Sequence, residues 1–139
     1  MKLILFFAVI AGSSLSTFAQ SRALATRLQI EHPDIKVVTA VTDAFSKPLS
    51  QLKTVRLVKD GGDVLLALNM MTIDDPKPFR YAVTIQILQR AECTGEIEWI
   101  VLSAGVNVVP ANKLNDWAEV VSATLSQKIN QILVTSKGN

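Results

Sequence analysis

Cysteine and histidine, the residues that most often build metal and nucleophilic sites, are nearly missing from this sequence. Its 139 residues include one cysteine, Cys93, and one histidine, His32. A metal site needs further nitrogen or sulfur ligands at suitable spacing, and none follows either residue. One cysteine cannot form an internal disulfide, so Cys93 is expected to be either a free thiol or half of an intermolecular disulfide.

Sequence motifs for catalysis are absent as well. The chain has no GxSxG, P-loop, GxGxxG or CxxC pattern. Its paired carboxylates lie in expected turns or at a strand end, where aspartate and glutamate are commonly solvated. These pairs are Asp60 and Asp63, Asp74 and Asp75, and Glu96 and Glu98. The sequence therefore predicts no catalytic residue, no metal and no cofactor, and it favours a non-enzymatic protein.

A marked excess of basic charge is also absent. There are 14 Lys and Arg residues against 12 Asp and Glu, for a net charge of +2. A nucleic-acid-binding domain normally carries a strong basic surplus, so nucleic acid is not an expected partner.

The first residues have the layout of a cleavable secretory signal peptide. Lys2 is followed by an apolar run from Leu3 to Ile10, and Thr17 and Ala19 are small residues at the −3 and −1 positions of a cleavage site. The run is shorter than the roughly 20 residues that span a bilayer. We therefore expect residues 1–19 to be removed and the protein to be secreted or periplasmic.

Residues 20–139 form one expected domain, because they show no repeat, low-complexity tract or charge block. Within them no stretch is long and apolar enough to cross a membrane, so no integral membrane segment is expected in the mature chain.

Hydrophobic spacing predicts an α+β fold. We expect a helix over 21–31, ended by His32-Pro33, and an ambiguous segment over 34–47 for which helix is slightly favoured over strand. Four strands should follow as an antiparallel meander, and a long amphipathic helix should follow the last strand and pack on one face of the sheet. The N-terminal helical segment should cover the other face. The four strands are expected at 53–59, 64–73, 79–91 and 96–108, and the long helix at 111–134, with Asn112 as its N-cap.

Two hairpins are expected from glycine-containing turns. Asp60-Gly61-Gly62-Asp63 should join the first two strands, with Leu57 opposite Leu66 and Val55 opposite Leu68. In the last hairpin, Ala91 opposite Glu96 gives a register that separates an apolar face from a more polar one. That register pairs Ile87 with Ile100, Ile85 with Leu102, Val83 with Ala104, Tyr81 with Val106 and Leu88 with Trp99.

The strand at 96–108 carries the candidate contact surface. As the last strand of a meander it lies at an edge, and its apolar run has few of the charges that protect natural sheet edges. Residues 34–42 could alternatively form a strand that covers this edge. Trp99, with Leu88 and Val101 beside it, is a possible partner contact, although residues 21–49 could equally cover it.

Three functions are compatible with these patterns. The favoured one is an exported, non-enzymatic binding or assembly module that acts through protein–protein contacts, with a protein partner or a homo-oligomer possible at 96–108. The alternatives are a periplasmic carrier of a small apolar ligand or lipid and a small hydrolase without a recognisable motif. The carrier would need a cavity lined by residues such as Ile85, Leu102, Met71, Trp117 and Val121.

Overall fold

The fold is built on one five-stranded sheet, in a computed structural model that describes residues 22–74 and 79–136. The predicted signal peptide, residues 1–19, and residues 20 and 21 lie outside the described residues. Helix α1 follows the first strand, and a 3-10 turn (Ala111–Lys113) leads into helix α2 after the last strand. In chain order the elements are β1 (Leu24–Glu31), α1 (Ile35–Ser50), β2 (Val55–Val58), β3 (Val64–Ile73), β4 (Arg80–Cys93), β5 (Glu96–Pro110) and α2 (Leu114–Thr135).

The sheet is mixed, with the strand order β2-β1-β3-β4-β5. Strand β1 runs parallel to both of its neighbours, β2 and β3, whereas β3, β4 and β5 are antiparallel to one another in turn. The α+β class is confirmed. The expected four-stranded antiparallel meander is wrong for the N-terminal part of the chain and roughly right for β3 to β5.

Strand β1 replaces the helix that was expected over 21–31. Leu24 and Leu28 are four residues apart, which suits a helix and a strand equally well. Thr26 is fully buried between them, and Ile30 continues the row toward the core. The alternation of these residues with the polar Arg27, Gln29 and Glu31 therefore has the period of two that belongs to a strand.

The turn at 60–63 is real, but it does not close a hairpin. Strands β2 and β3 lie on opposite sides of β1 and run in the same direction, so residues 59–63 must cross β1. Gly61 and Gly62 have φ values of +67° and +105°, which side chains rarely adopt. The expected pairs of Leu57 with Leu66 and Val55 with Leu68 are consequently wrong. In the sheet Leu57 lies opposite Thr26, Val55 opposite Leu24, Leu66 between Leu28 and Ile87, and Leu68 between Ile30 and Ile85.

Helix α1 confirms the helical choice for residues 34–47 and excludes the alternative of a covering strand at 34–42. Asp34 caps it, since its carboxylate accepts a hydrogen bond of 2.9 Å from the Lys36 amide. Val41, Phe45 and Leu49 form its buried stripe. The Phe45 ring meets the Trp117 ring of α2 edge to face, with centroids 5.4 Å apart. Helices α1 and α2 therefore share one side of the sheet, and the expectation that the N-terminal segment covers the other side is wrong.

Helix α2 lies where its spacing predicted. Its buried stripe packs against the sheet, beginning after the 3-10 turn. Lys113, not Asn112, occupies the N-cap position, and no side-chain hydrogen bond caps this end. The buried residues of the helix are Ala118, Val121, Ser122, Leu125 and Ile129.

The hairpin of β4 and β5 turns more tightly than expected. Thr94 and Gly95, both with positive φ, form a two-residue turn that puts Cys93 opposite Glu96. Ala91 therefore lies opposite Glu98, two residues from the expected partner. A β-bulge then shifts the pairing by one more residue, so the remaining expected pairs are wrong. The observed pairs are Ile87 with Ser103, Ile85 with Gly105, Val83 with Asn107, Tyr81 with Val109, Leu88 with Val101 and Arg90 with Trp99.

Neither helix of the described residues combines the length and the apolar content needed to cross a bilayer.

Candidate functional site

Among the residues that the structure describes, no helix packs on one side of the sheet. In β3 the residues that face the helices are buried, namely Val64, Leu66, Leu68 and Met70. Their alternate neighbours point to the opposite side, because successive strand residues face opposite sides of a sheet. We call this opposite side the open face. It consists of Arg27, Gln29 and Glu31 of β1, Leu65, Ala67, Asn69 and Met71 of β3, Ala82, Thr84, Gln86, Leu88 and Arg90 of β4, and Ile97, Trp99, Val101, Ala104, Val106 and Val108 of β5.

The open face is polar at β1. The Arg27 guanidinium donates a 2.6 Å hydrogen bond to the Gln29 amide oxygen, and the Gln29 amide donates one of 2.8 Å to Glu31. Asn69 of β3 approaches the same carboxylate at 3.4 Å. These side chains use one another as hydrogen-bond partners, so they form a solvated row rather than a set of groups aimed at a ligand.

The open face is apolar at β5. Val106 is 75% exposed, and Val101 and Val108 are also more than half exposed. On the neighbouring strands this side also carries Ala82 of β4 and the exposed Met71 of β3. Apolar side chains clustered in this way on a sheet face commonly mark a contact surface.

The predicted contact residues Trp99, Leu88 and Val101 do lie together on this face. Leu88 is opposite Val101, and Trp99 lies one position further along, opposite Arg90 rather than opposite Leu88 as expected. Leu88 and Trp99 border a shallow groove of about 260 Å³ over β3 and β4. Trp99 remains 38% exposed. Helix α1 lies on the other side of the sheet, so residues 35–50 do not cover Trp99.

Strand β5 is an edge strand along its whole length, as predicted for 96–108. It has 15 residues, of which two, Glu96 and Glu98, carry a charge. The opposite edge strand, β2, is only four residues long and carries Arg56. Short strands, cationic side chains and β-bulges all protect sheet edges, and of these β5 has only the β-bulge near Leu102.

Val106 is a part of this surface that sequence reasoning placed wrongly. Val106 was expected opposite Tyr81 on the core side, but it lies opposite Thr84 on the open face. The β-bulge near Leu102 causes the change, because one unpaired residue reverses which side the following residues face. The alternation of valine with glycine and asparagine over 105–108 indicates that the two valines share one face of the sheet, but not which face.

His32 does not have the geometry of a general base. Its Nδ1 accepts a 2.9 Å hydrogen bond from the Asp34 amide, which leaves the proton on Nε2. Nε2 lies 2.9 Å from the Thr72 hydroxyl, so it donates to Thr72 in this tautomer and cannot accept that hydroxyl's proton. His32 is half-buried and ties the end of β1 to β3, whereas a solvated helix end was expected. The pairing with Thr72 had no sequence signal.

Residues proposed to line a carrier cavity are not brought together. Met71 is exposed on the open face, whereas Trp117 and Val121 lie on the helix side of the sheet. Ile85, Trp117 and Val121 border a cleft of about 220 Å³ between α2 and β5. The cleft is partly open to solvent and does not include Leu102.

Metal ligands and the thiol of Cys93 are the remaining candidates for a site. Within the described parts of the chain, no three His, Cys, Asp or Glu side chains are grouped as metal ligands. Cys93 ends β4 beside the hairpin turn, and its side chain lies outside the described part of the structure. The prediction of an intermolecular disulfide therefore stays a prediction.

Comparisons with known proteins do not define a family. No protein-family model matches the chain, and no curated protein is significantly similar to it. Among solved structures, a PelC variant dodecamer from Paraburkholderia phytofirmans has a TM-score of 0.45 at 10% sequence identity, over 78% of this chain and 87% of that one. A likeness at this level carries no inference about the function or assembly of this chain.

Proposed function

We propose that this protein is an exported, non-enzymatic binding or assembly module that acts through protein–protein contacts. Export is inferred from the signal-peptide pattern of residues 1–19. The observation that carries the contact function is the row of apolar side chains that β5 places on the open face, along the long edge of the sheet.

The distribution of polar groups supports a protein partner rather than a small molecule. The groove beside Trp99 is shallow, and its polar rim at Gln29 and Glu31 is already hydrogen-bonded within the chain. Small-ligand sites are usually deeper and contain polar groups that converge on the ligand. A flat apolar area beside a free strand edge suits another protein, which can supply both side chains and backbone hydrogen bonds.

Site-specific photo-crosslinking in the producing organism tests this proposal. A photoreactive phenylalanine analogue is placed at Val106 on the open face and, as the matched control, at Asp43 on the exposed side of α1. We expect protein adducts from position 106, including adducts with a second copy, and few from position 43. Equal labelling at both positions, or no protein adduct from position 106, would contradict the proposal.

A further inference from the structure

We propose that the edge of β5 pairs antiparallel with the β5 edge of a second copy, about a twofold axis that passes between Leu102 and Ser103. This inference rests on the proposed contact function and names its partner. A twofold interface uses the same surface on both copies, so β5 must be complementary to itself.

The β-bulge makes such a pairing continuous. Opposed residues of antiparallel strands point to the same side of the sheet, so an open-face residue must meet an open-face residue. In β5 the open-face residues have odd numbers up to Val101 and even numbers from Ala104 onward, because the bulge shifts the alternation by one. With the axis between Leu102 and Ser103, the two halves match: Val101 meets Ala104, Trp99 meets Val106, and Ile97 meets Val108.

Other twofold registers fail at the bulge. Moving the axis by half a residue places open-face side chains opposite helix-facing ones along the whole strand. Moving it by one residue does so at the central pair, which is then Val101 with Leu102 or Ser103 with Ala104. A register centred far from the bulge pairs only one half of the strand with matched sides. The proposed register is therefore the one in which every pair over residues 96–109 has matched sides.

Charge is also compatible with this register. The two carboxylates of the strand do not face each other, since Glu98 meets Asn107 and Glu96 meets Val109. Like charges directly opposite each other in a sheet are unfavourable, and the pairing contains none. On the helix side, the α2 residues that border the cleft beside β5 are uncharged, Val120 and Thr124 among them. Lys128 lies further along α2, beside Leu102.

Mixed disulfide crosslinking tests the register. In a Cys93→Ser background, Val101→Cys and Ala104→Cys are made as separate proteins, one of them carrying a tag that changes its mass. Both positions are exposed, so folding should be retained. In the paired dimer position 101 lies opposite position 104 and not opposite itself, and only directly opposed cysteines come within disulfide reach. Mild oxidation of the mixture should therefore give a mixed-mass dimer that neither protein gives alone.

Val101→Cys mixed with Val108→Cys is the matched control, because these positions are not opposed in the proposed register. We expect at least about tenfold less mixed dimer from the control, given the short Cβ separation that a disulfide requires. Light scattering of the wild-type protein runs in parallel. A monomer at high concentration, or equal crosslinking in the control, would overturn the self-pairing. Neither result would remove adducts of Val106 with a different protein, so the broader contact function is tested separately.

Discussion

At the scale of single residues, the fold is most sensitive at positions where an added side-chain atom would meet the backbone. Gly62 is the clearest case. A Cβ atom placed there would lie 3.0 Å from the Ala25 carbonyl oxygen and 3.3 Å from a Val58 methyl group. The loop of residues 59–63 comes this close to Ala25 because it crosses β1. The Asp63 amide then donates a hydrogen bond to the Ala25 carbonyl oxygen, and the Asp63 carboxylate accepts one from the Ala25 amide.

Gly62→Ala should destabilise the protein by about 2–3 kcal/mol, because a strained φ and a backbone clash combine at this position. Gly61→Ala is the matched control: its φ is also positive, but nothing lies within 4 Å of the added methyl group. We expect it to cost about 1 kcal/mol. Urea denaturation measures both free energies of unfolding, and equal losses would contradict the close approach at Gly62.

Phe45 offers a second residue-scale test. Its side chain is fully buried and contacts Trp117, whereas Phe79 is 52% exposed. Phe45→Ala should cost about 3–5 kcal/mol through lost burial and the cavity left behind. The same change at Phe79 should cost less than about 1 kcal/mol, as for a typical surface position. Thermal unfolding of both variants checks the contrast, and a similar loss at Phe79 would show that its ring is packed.

At the scale of elements, the strands and helices that could be predicted are those whose apolar residues follow one clear spacing. The strands β3 to β5 and helix α2 follow from apolar alternation and from three- and four-residue spacing. Strand β1 did not, because Leu24 and Leu28 fit both periods and its partners, β2 and β3, lie far along the chain. The candidate contact residues Trp99, Leu88 and Val101 were identified, but Val106 and Val108 depended on a bulge that no residue pattern marks unambiguously.

Helix α1 allows a test of its N-cap. Asp34→Ala removes the carboxylate that accepts the Lys36 amide and should destabilise the protein by about 1 kcal/mol. Asp43→Ala, at an exposed position inside the same helix, should change stability by no more than about 0.5 kcal/mol. Asp34→Ser should recover most of the loss. A Ser variant as unstable as the Ala variant would argue against capping as the cause.

At the scale of the whole molecule, the two sides of the sheet differ in how far their side chains are buried. The helix side holds the core, with Phe45, Leu66 and Leu125 fully buried. The open face contributes little to that core near β5, so its valines can be changed with little effect on folding. Stability and the proposed association should therefore respond to different mutations.

Because the open face near β5 is separate from the core, charged residues introduced there can test the proposed dimer. Ile97→Glu with Val108→Glu in one chain would place like charges opposite each other at both ends of the interface, and dimerisation should weaken by more than tenfold, about 1.4 kcal/mol or more. Ile97→Lys with Val108→Glu should recover much of the affinity, because the opposed charges now attract. Sedimentation equilibrium gives both dissociation constants. Equal weakening in the two variants would show that these side chains do not meet.

The place of β1 between β2 and β3 has a consequence for how the chain folds. The hairpin of β4 and β5 closes through a two-residue turn and can form within microseconds, as short hairpins do. Strand β1 reaches its position only when α1 and β2 have returned beside it and residues 59–63 have crossed to β3. Pairings of this long sequence separation form slowly. The C-terminal half of the sheet should therefore gain protection from hydrogen exchange first, and the strand nearest the N-terminus should be among the last to be locked in place.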